Sequence, residues 1–211
     1  MTTTDRAGND VRGLLLVHDR IRAVVPEAAR HIRALRPGDR RGARAAVRAW
    51  AGFTRAVQRH HQAADADLWP LVLGLVPELA GEVQRLRAER ARLDADLAAV
   101  AAGLEQLARP GGSGGAAAAA LARLDTQLRR HLAAEEQLVL PVLRHRVPAE
   151  RWAAVEPALV ERAAVLGTAF APQPEPARAG FLRRRPAPVH GRHCLVPGPR
   201  HRRPLVTAAT R

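Results

Sequence analysis

No lysine and no tyrosine occur in this chain, and cysteine occurs once in 211 residues. The lone Cys194 leaves no intramolecular disulfide framework, no zinc ribbon and no CxxC redox pair. Aromatic residues make up 3%, too few for a sheet-forming sequence, in which aromatic and β-branched side chains are enriched. Long apolar runs are missing as well. No stretch of about 18 apolar residues is available to span a bilayer, and the N-terminal MTTTDRAGND lacks the apolar centre of a secretory signal, so a cytoplasmic protein is the expectation. Absent too are a Ser/His/Asp order, a phosphate-cradling glycine motif and a dinucleotide fingerprint; GlyGlySerGlyGly at 111–115 reads as a linker by its context. An enzyme in the strict sense is the reading with least support.

What is abundant is alanine, leucine and arginine, the composition of an all-α protein. The formal net charge is +14. Because every basic residue that carries it is arginine, part of it reads as biased codon usage. Residues 172–211 hold nine arginines against one glutamate, or +8, which leaves +6 for the first 171 residues. The same 40 residues contain eight of the sixteen prolines with no sustained period, the composition of a disordered tail. The expected organisation is a disordered N-terminus over 1–9, a helical bundle over 10–167 and a Pro/Arg-rich flexible tail over 168–211.

Apolar residues within 10–167 recur every three to four positions, the period of an amphipathic helix. Asn9 or Asp10 is expected to cap a first helix with the stripe Leu14, His18, Ile21, Val25, kinked or interrupted at Pro26 and continuing to about Leu35. A second helix starts near Asp39, carries Trp50, Phe53, Val57, His60, Ala64 and Leu68, and should end or bend around Trp69-Pro70. The third has the cleanest stripe, from Leu79 through Val83, Leu86, Arg90, Leu93 and Leu97 to Leu107. After the flexible linker 109–115, a fourth reads Leu121, Leu124, Leu128, His131, Glu135, Leu138, Val142. A shorter fifth is expected from about Pro148 to Leu166. Long helices joined by short turns predict an up-down four-helix bundle with a short extra C-terminal helix.

His18, His60, Arg90, His131 and Glu135 interrupt these apolar stripes. Burying such groups without partners costs about 1–3 kcal/mol for each neutral one and more for each charge. Singly, each histidine suits a local hydrogen bond or a helix edge. Four helices contributing polar groups near mid-length favour convergence on one another or on a metal. Two segments also share a spacing, His60-x3-Ala64-Asp65-x4-Pro70 and His131-x3-Glu135-Glu136-x4-Pro141. A His and a carboxylate at i, i+4 project from one helix face, and imidazole with carboxylate on facing helices suits iron, manganese or zinc.

Four pieces carry a resemblance to a known family. They are His18-Asp19-Arg20-Ile21-Arg22, His60-His61-x3-Asp65-x2-Leu68-Trp69-Pro70, Leu86-x2-Glu89-Arg90-x2-Leu93, and His131-x3-Glu135-Glu136-x2-Val139-Leu140-Pro141. With them the chain resembles the hemerythrin-like HHE cation-binding family over roughly residues 10–165. The resemblance implies a four-helix bundle holding a non-haem di-iron centre with bridging carboxylates. It also implies the binding of oxygen or nitric oxide, iron handling, or redox and stress sensing. His18, His60, His131 and Glu135 match ligand positions of the family. Two positions depart from it: the second-helix bridging glutamate falls at Ala64, and the third-helix histidine falls at Arg90.

His61, Asp65 and Glu136 are the second-line ligand candidates. Asp65, at i+5 from His60, is rotated by about 140° on a regular helix, and it pairs in register with His61; a solvated helix flank is the plain alternative for both. Arg90 cannot ligate a metal. It is expected either to form a bidentate pair with Glu135 or Asp65 or to snorkel to water. The expectation is a degenerate site, mononuclear or vacant, with iron as the cofactor and another divalent metal or none as alternatives. A metal-free helical scaffold is the competing function. A third reading is an anionic partner held by the tail through Arg183-Arg184-Arg185 and Arg200-x-Arg202-Arg203. His31, His145, His190, His193 and His201 lie outside the pattern.

Overall fold

The Asp39 carboxylate accepts the Gly42 N–H at 2.8 Å and so starts the second helix where a side-chain cap is expected. The computed structural model of the chain describes residues 8–161 and 170. The order is α1 (Arg12–Ala34), α2 (Arg40–Ala63), a π-helical turn (Ala64–Leu68), α3 (Trp69–Leu75), a 3-10 turn (Pro77–Leu79), α4 (Ala80–Leu107), α5 (Gly115–His145) and α6 (Ala149–Glu161). Among the described residues there is no strand, and no helix is long and apolar enough to cross a membrane. The expected end of the fifth helix, residues 1–7 and, apart from Phe170, the proposed tail lie outside the described residues.

Three boundaries differ from those read in the sequence. Val11, not Asn9 or Asp10, occupies the α1 N-cap position and offers no side-chain cap. Asp10 instead accepts the Arg12 N–H at 3.0 Å. Asn9 closes the far end of another helix, its Nδ2 donating to the Leu143 and Val147 carbonyls, each at 2.8 Å. α1 runs through Pro26 without interruption. The change of winding expected at Trp69-Pro70 comes one turn earlier, where the Trp69 N–H reaches the Ala64 carbonyl across five residues. Pro70 has no N–H to offer the carbonyl four residues back, and its ring crowds that carbonyl. A widened turn just before the proline accommodates both, and such turns favour functional sites.

The chain between α4 and α5 closes as a hydrogen-bonded turn, with Arg109 N–H on the Gln106 carbonyl and Gly112 N–H on Arg109. Gly111 supplies the positive φ of 71° that this turn requires. Beyond it α4 and α5 pack backbone to backbone. A Cβ added to Gly103 would come within 2.6 Å of the Ala117 nitrogen, so only glycine permits this approach.

Each main helix packs on two neighbours, α1 on α2 and α5, and α4 on α2 and α5. Asn9 before α1 meets the end of α5, and Trp50 early in α2 donates to the Leu97 carbonyl late in α4 at 3.0 Å, so neighbours run antiparallel. This is an up-down bundle. Its interior falls into two apolar clusters. One gathers Ile21, Trp50, Phe53, Leu97, Leu124 and Leu128, with Phe170 against it. The other gathers Leu14, Leu68, Trp69, Leu86, Val139 and Trp152. Phe170 lies edge-on to His31 with ring centroids 5.8 Å apart, which gives that late-helix histidine an ordinary packing role. Between the clusters runs a layer of buried polar side chains: His18, His60, His61, Arg90, His131 and Glu135.

Candidate metal centre

On every helix the polar layer replaces one step of the apolar stripe: His18 between Leu14 and Ile21, His60 between Val57 and Ala64, Arg90 between Leu86 and Leu93, and His131 with Glu135 between Leu128 and Val139. The antiparallel order brings these steps to one depth. His18, His60 and Glu135 each present a ligand atom, all within 4.8 Å of one another. His18 Nε2 stands 3.2 Å from His60 Nε2 and 3.7 Å from Glu135 Oε1. On the other side His131 Nε2 stands 3.7 Å from Glu135 Oε2. Two atoms bound to one cation at about 2.1 Å can stand no more than about 4.2 Å apart, and the 3.2 Å and 3.7 Å separations fall within that span.

The outer nitrogens decide what the inner ones offer. His18 Nδ1 lies 2.8 Å from Glu136 Oε1, and His131 Nδ1 lies 3.4 Å from Glu89 Oε2. A carboxylate only accepts, so each imidazole donates its Nδ1–H outward and turns the Nε2 lone pair inward, the arrangement found behind metal-bound histidines. Glu135 is fully buried, and neither of its oxygens has a hydrogen-bond donor. The carboxylate is therefore faced on both sides by lone pairs, an arrangement that repels unless a cation lies among them. His60 Nδ1 and His131 Nε2 also have no partner. The donor set fits one divalent cation that takes nitrogen and oxygen, such as iron, manganese or zinc.

Glu136 is a positioning group and not a member of the inner cluster. Burial alone would raise its carboxyl, but hydrogen bonds from His18 and from Arg22, at 2.7 Å, outweigh this and hold it below the usual carboxylate range. Glu136→Ala leaves His18 free to rotate and is expected to lower metal affinity about 10–100-fold, measured by competition with a chromophoric chelator. Arg22 and Glu89 both fall within the segments that carry the family resemblance, but spacing alone does not single them out: Arg22 is one turn from His18, and Glu89 precedes Arg90.

Asp65 does not replace the carboxylate missing at position 64. It turns outward, accepting Arg90 Nη1 at 2.7 Å on one oxygen and Arg87 Nε at 2.9 Å on the other. Arg87 thus takes the oxygen that a bidentate Arg90 would need. Ala64 is fully buried in the apolar cluster. Arg90 is buried, and its Nε and Nη2 have no partner; it neither snorkels free nor forms an ion pair with Glu135. His61, read as a solvated flank or a ligand, is buried instead with its ring 5.7 Å from that of His131, outside the inner cluster.

Burial pushes the His60 imidazole down to about 4 and His61 to about 2, and the charge of Arg90 acts in the same direction. Burial lowers His131 as well. All three are held neutral and able to coordinate. Folded, they bind fewer protons than the unfolded chain, whose histidines titrate near ~6.5. Metal-stripped protein is therefore expected to keep full stability above about pH 6.5 and to lose it as pH falls toward 4, by up to about 1.4 kcal/mol per pH unit for each such histidine. Urea denaturation across this range reads the slope.

A family model described as hemerythrin HHE cation binding domain matches residues 9–148. No curated protein and no solved structure matches the chain.

Proposed function

Because the chain belongs to the hemerythrin HHE cation-binding family, we propose that it holds a single divalent metal, iron by preference, on His18, His60, His131 and Glu135. One observation carries this reading: the buried Glu135 carboxylate, without a hydrogen-bond donor, faces imidazoles on both sides whose protons are held outward. His18, His60 and Glu135 would form the closer set, and His131 stands beside the second Glu135 oxygen at 3.7 Å. Glu136 and Glu89 would fix the ring orientations.

When bound, iron would supply a redox-active centre suited to handling oxygen, nitric oxide or iron itself, in a soluble cytoplasmic setting. The chain's residues supply the rest. Two apolar clusters above and below exclude water, and Glu135 balances charge. Arg90 stands where the family's third-helix histidine falls, with Asp65 and Arg87 holding it. Its permanent positive charge disfavours a second cation. A groove on the α4–α5 surface, about 330 Å³ in volume and lined by Glu89, brings solvent to the side chain behind His131.

The alternative is a metal-free scaffold, and thermal unfolding separates the two. A metal bound only by the folded chain at about 100 times its dissociation constant adds about 2.7 kcal/mol, or about 5–10 °C in Tm for a bundle of this size. A Tm indifferent to iron(II), manganese(II) and zinc(II) would support the scaffold.

A further inference from the structure

The excess positive charge of the bundle lies on one helix. α2 contains six arginines and no acidic residue in 24 positions, so it carries +6, equal to the net charge of residues 1–171. The rest of that stretch is neutral overall. At 100° per residue, Arg40, Arg41, Arg44, Arg48, Arg55 and Arg59 fall within an arc of about 100° and along about 29 Å of helix. All but the half-buried Arg59 are exposed, and the first four line one surface depression. Among the described residues none of the six makes an ion pair, whereas Arg22, Arg85, Arg87 and Arg129 on other helices each hold a carboxylate. Arg30, Arg33, Arg92 and Arg130 also lack an ion pair among the described residues, so what sets α2 apart is the alignment of six arginines on one arc of a helix that has no acidic residue.

We propose that this ridge of α2 binds the phosphate backbone of duplex nucleic acid without regard to sequence. Guanidinium groups match phosphate oxygens in pairs, and arginines one helical turn apart offer them at intervals of about 6 Å. A membrane surface is the poorer fit. An interfacial helix buries an apolar face in lipid, but the apolar residues of α2, Trp50, Phe53 and Val57, are buried in the bundle. The exposed large hydrophobic residue of the described chain is Leu16, on α1. Single strands are held by stacking on aromatic side chains, and the ridge has none. The inner face of α2 meanwhile carries His60, so one helix serves the metal layer and this outer surface independently.

The test uses the full chain and a labelled mixed-sequence DNA duplex of about 25 base pairs, with fluorescence anisotropy read over a series of salt concentrations. Four to five phosphate contacts predict a slope of log affinity against log salt of about −4. Arg44→Gln, Arg48→Gln and Arg55→Gln together should weaken binding at least about 10-fold at low salt and flatten the slope by about 3 units. The corresponding triple lysine variant should keep the slope, and Arg48→Gln alone should flatten it by about 1. These positions are exposed, and circular dichroism together with metal content confirms that the variants fold. The proposal is overturned if the glutamine variants bind as the native chain does. It is equally overturned if Arg183→Gln, Arg184→Gln and Arg185→Gln alone abolish binding. Native protein that binds vesicles of three parts phosphatidylcholine to one part phosphatidylserine but not the duplex would overturn it too.

Discussion

Purified protein carrying Arg90→His together with Ala64→Glu is expected to hold about two irons per chain where the native protein holds about one. Arg90 is always protonated and offers no lone pair, so it can only repel a cation placed beside Glu135. Its present partner, Asp65, keeps Arg87 when Arg90 is removed, so the change does not strand that carboxylate. Histidine alone is not sufficient. Two divalent ions would then share the single carboxylate of Glu135, so Arg90→His is expected to give little second-site occupancy. The glutamate at 64, one turn from His60, supplies the second negative charge. Position 64 is fully buried at the start of the π-helical turn, so circular dichroism is read alongside to show that the variant folds. Metal analysis of native, single and double variants made in parallel reads the outcome; identical stoichiometry in all would count against Arg90 as the group that occupies the second metal position.

Glu135→Gln is expected to separate metal binding from folding. It removes the only carboxylate among the four inner residues, and metal affinity should fall by more than about 100-fold, beyond the loss usual for an outer positioning group. Folding should respond in the opposite sense. The carboxylate is fully buried with no donor to either oxygen, so in the metal-free state its charge is a cost. A neutral amide of the same shape brings N–H donors to the imidazole lone pair on one side and leaves an uncharged carbonyl oxygen facing the other, each 3.7 Å away. Metal-free Glu135→Gln should therefore be at least as stable as metal-free native protein, and more stable by about 1 kcal/mol where the amide N–H makes a hydrogen bond to one of the two imidazoles. Loss of stability in step with loss of metal binding would show that Glu135 is a structural member of the core and not a ligand.

The sequence made the bundle legible because its signals are local. The three-to-four spacing of apolar residues marks each long helix, Asp39 marks a start, and histidines within apolar stripes mark the polar layer. Signals that depend on two helices at once were not legible. Asn9 looks like a cap for the helix it precedes, yet it closes α5, some 134 residues away. Glu136 looks like a ligand beside Glu135, but the adjacent position on a helix points about 100° away and meets the back of His18 from outside. Asp65 was a candidate replacement carboxylate until tertiary packing set two guanidinium groups against it. The π-helical turn has one local sign, Pro70, and a proline permits several outcomes: α1 continues through Pro26 without interruption. The arginine ridge on α2 was hidden by a sum, since net charge over long segments drew attention to the tail.

Metal content per chain of freshly purified native protein, read by elemental analysis beside an optical spectrum, tests the central claim most directly. One metal per chain, lost on Glu135→Gln, is the result predicted. Two irons per chain with the absorption of an oxo-bridged pair would contradict it, because Arg90 would then have left room for the cation it is argued to replace.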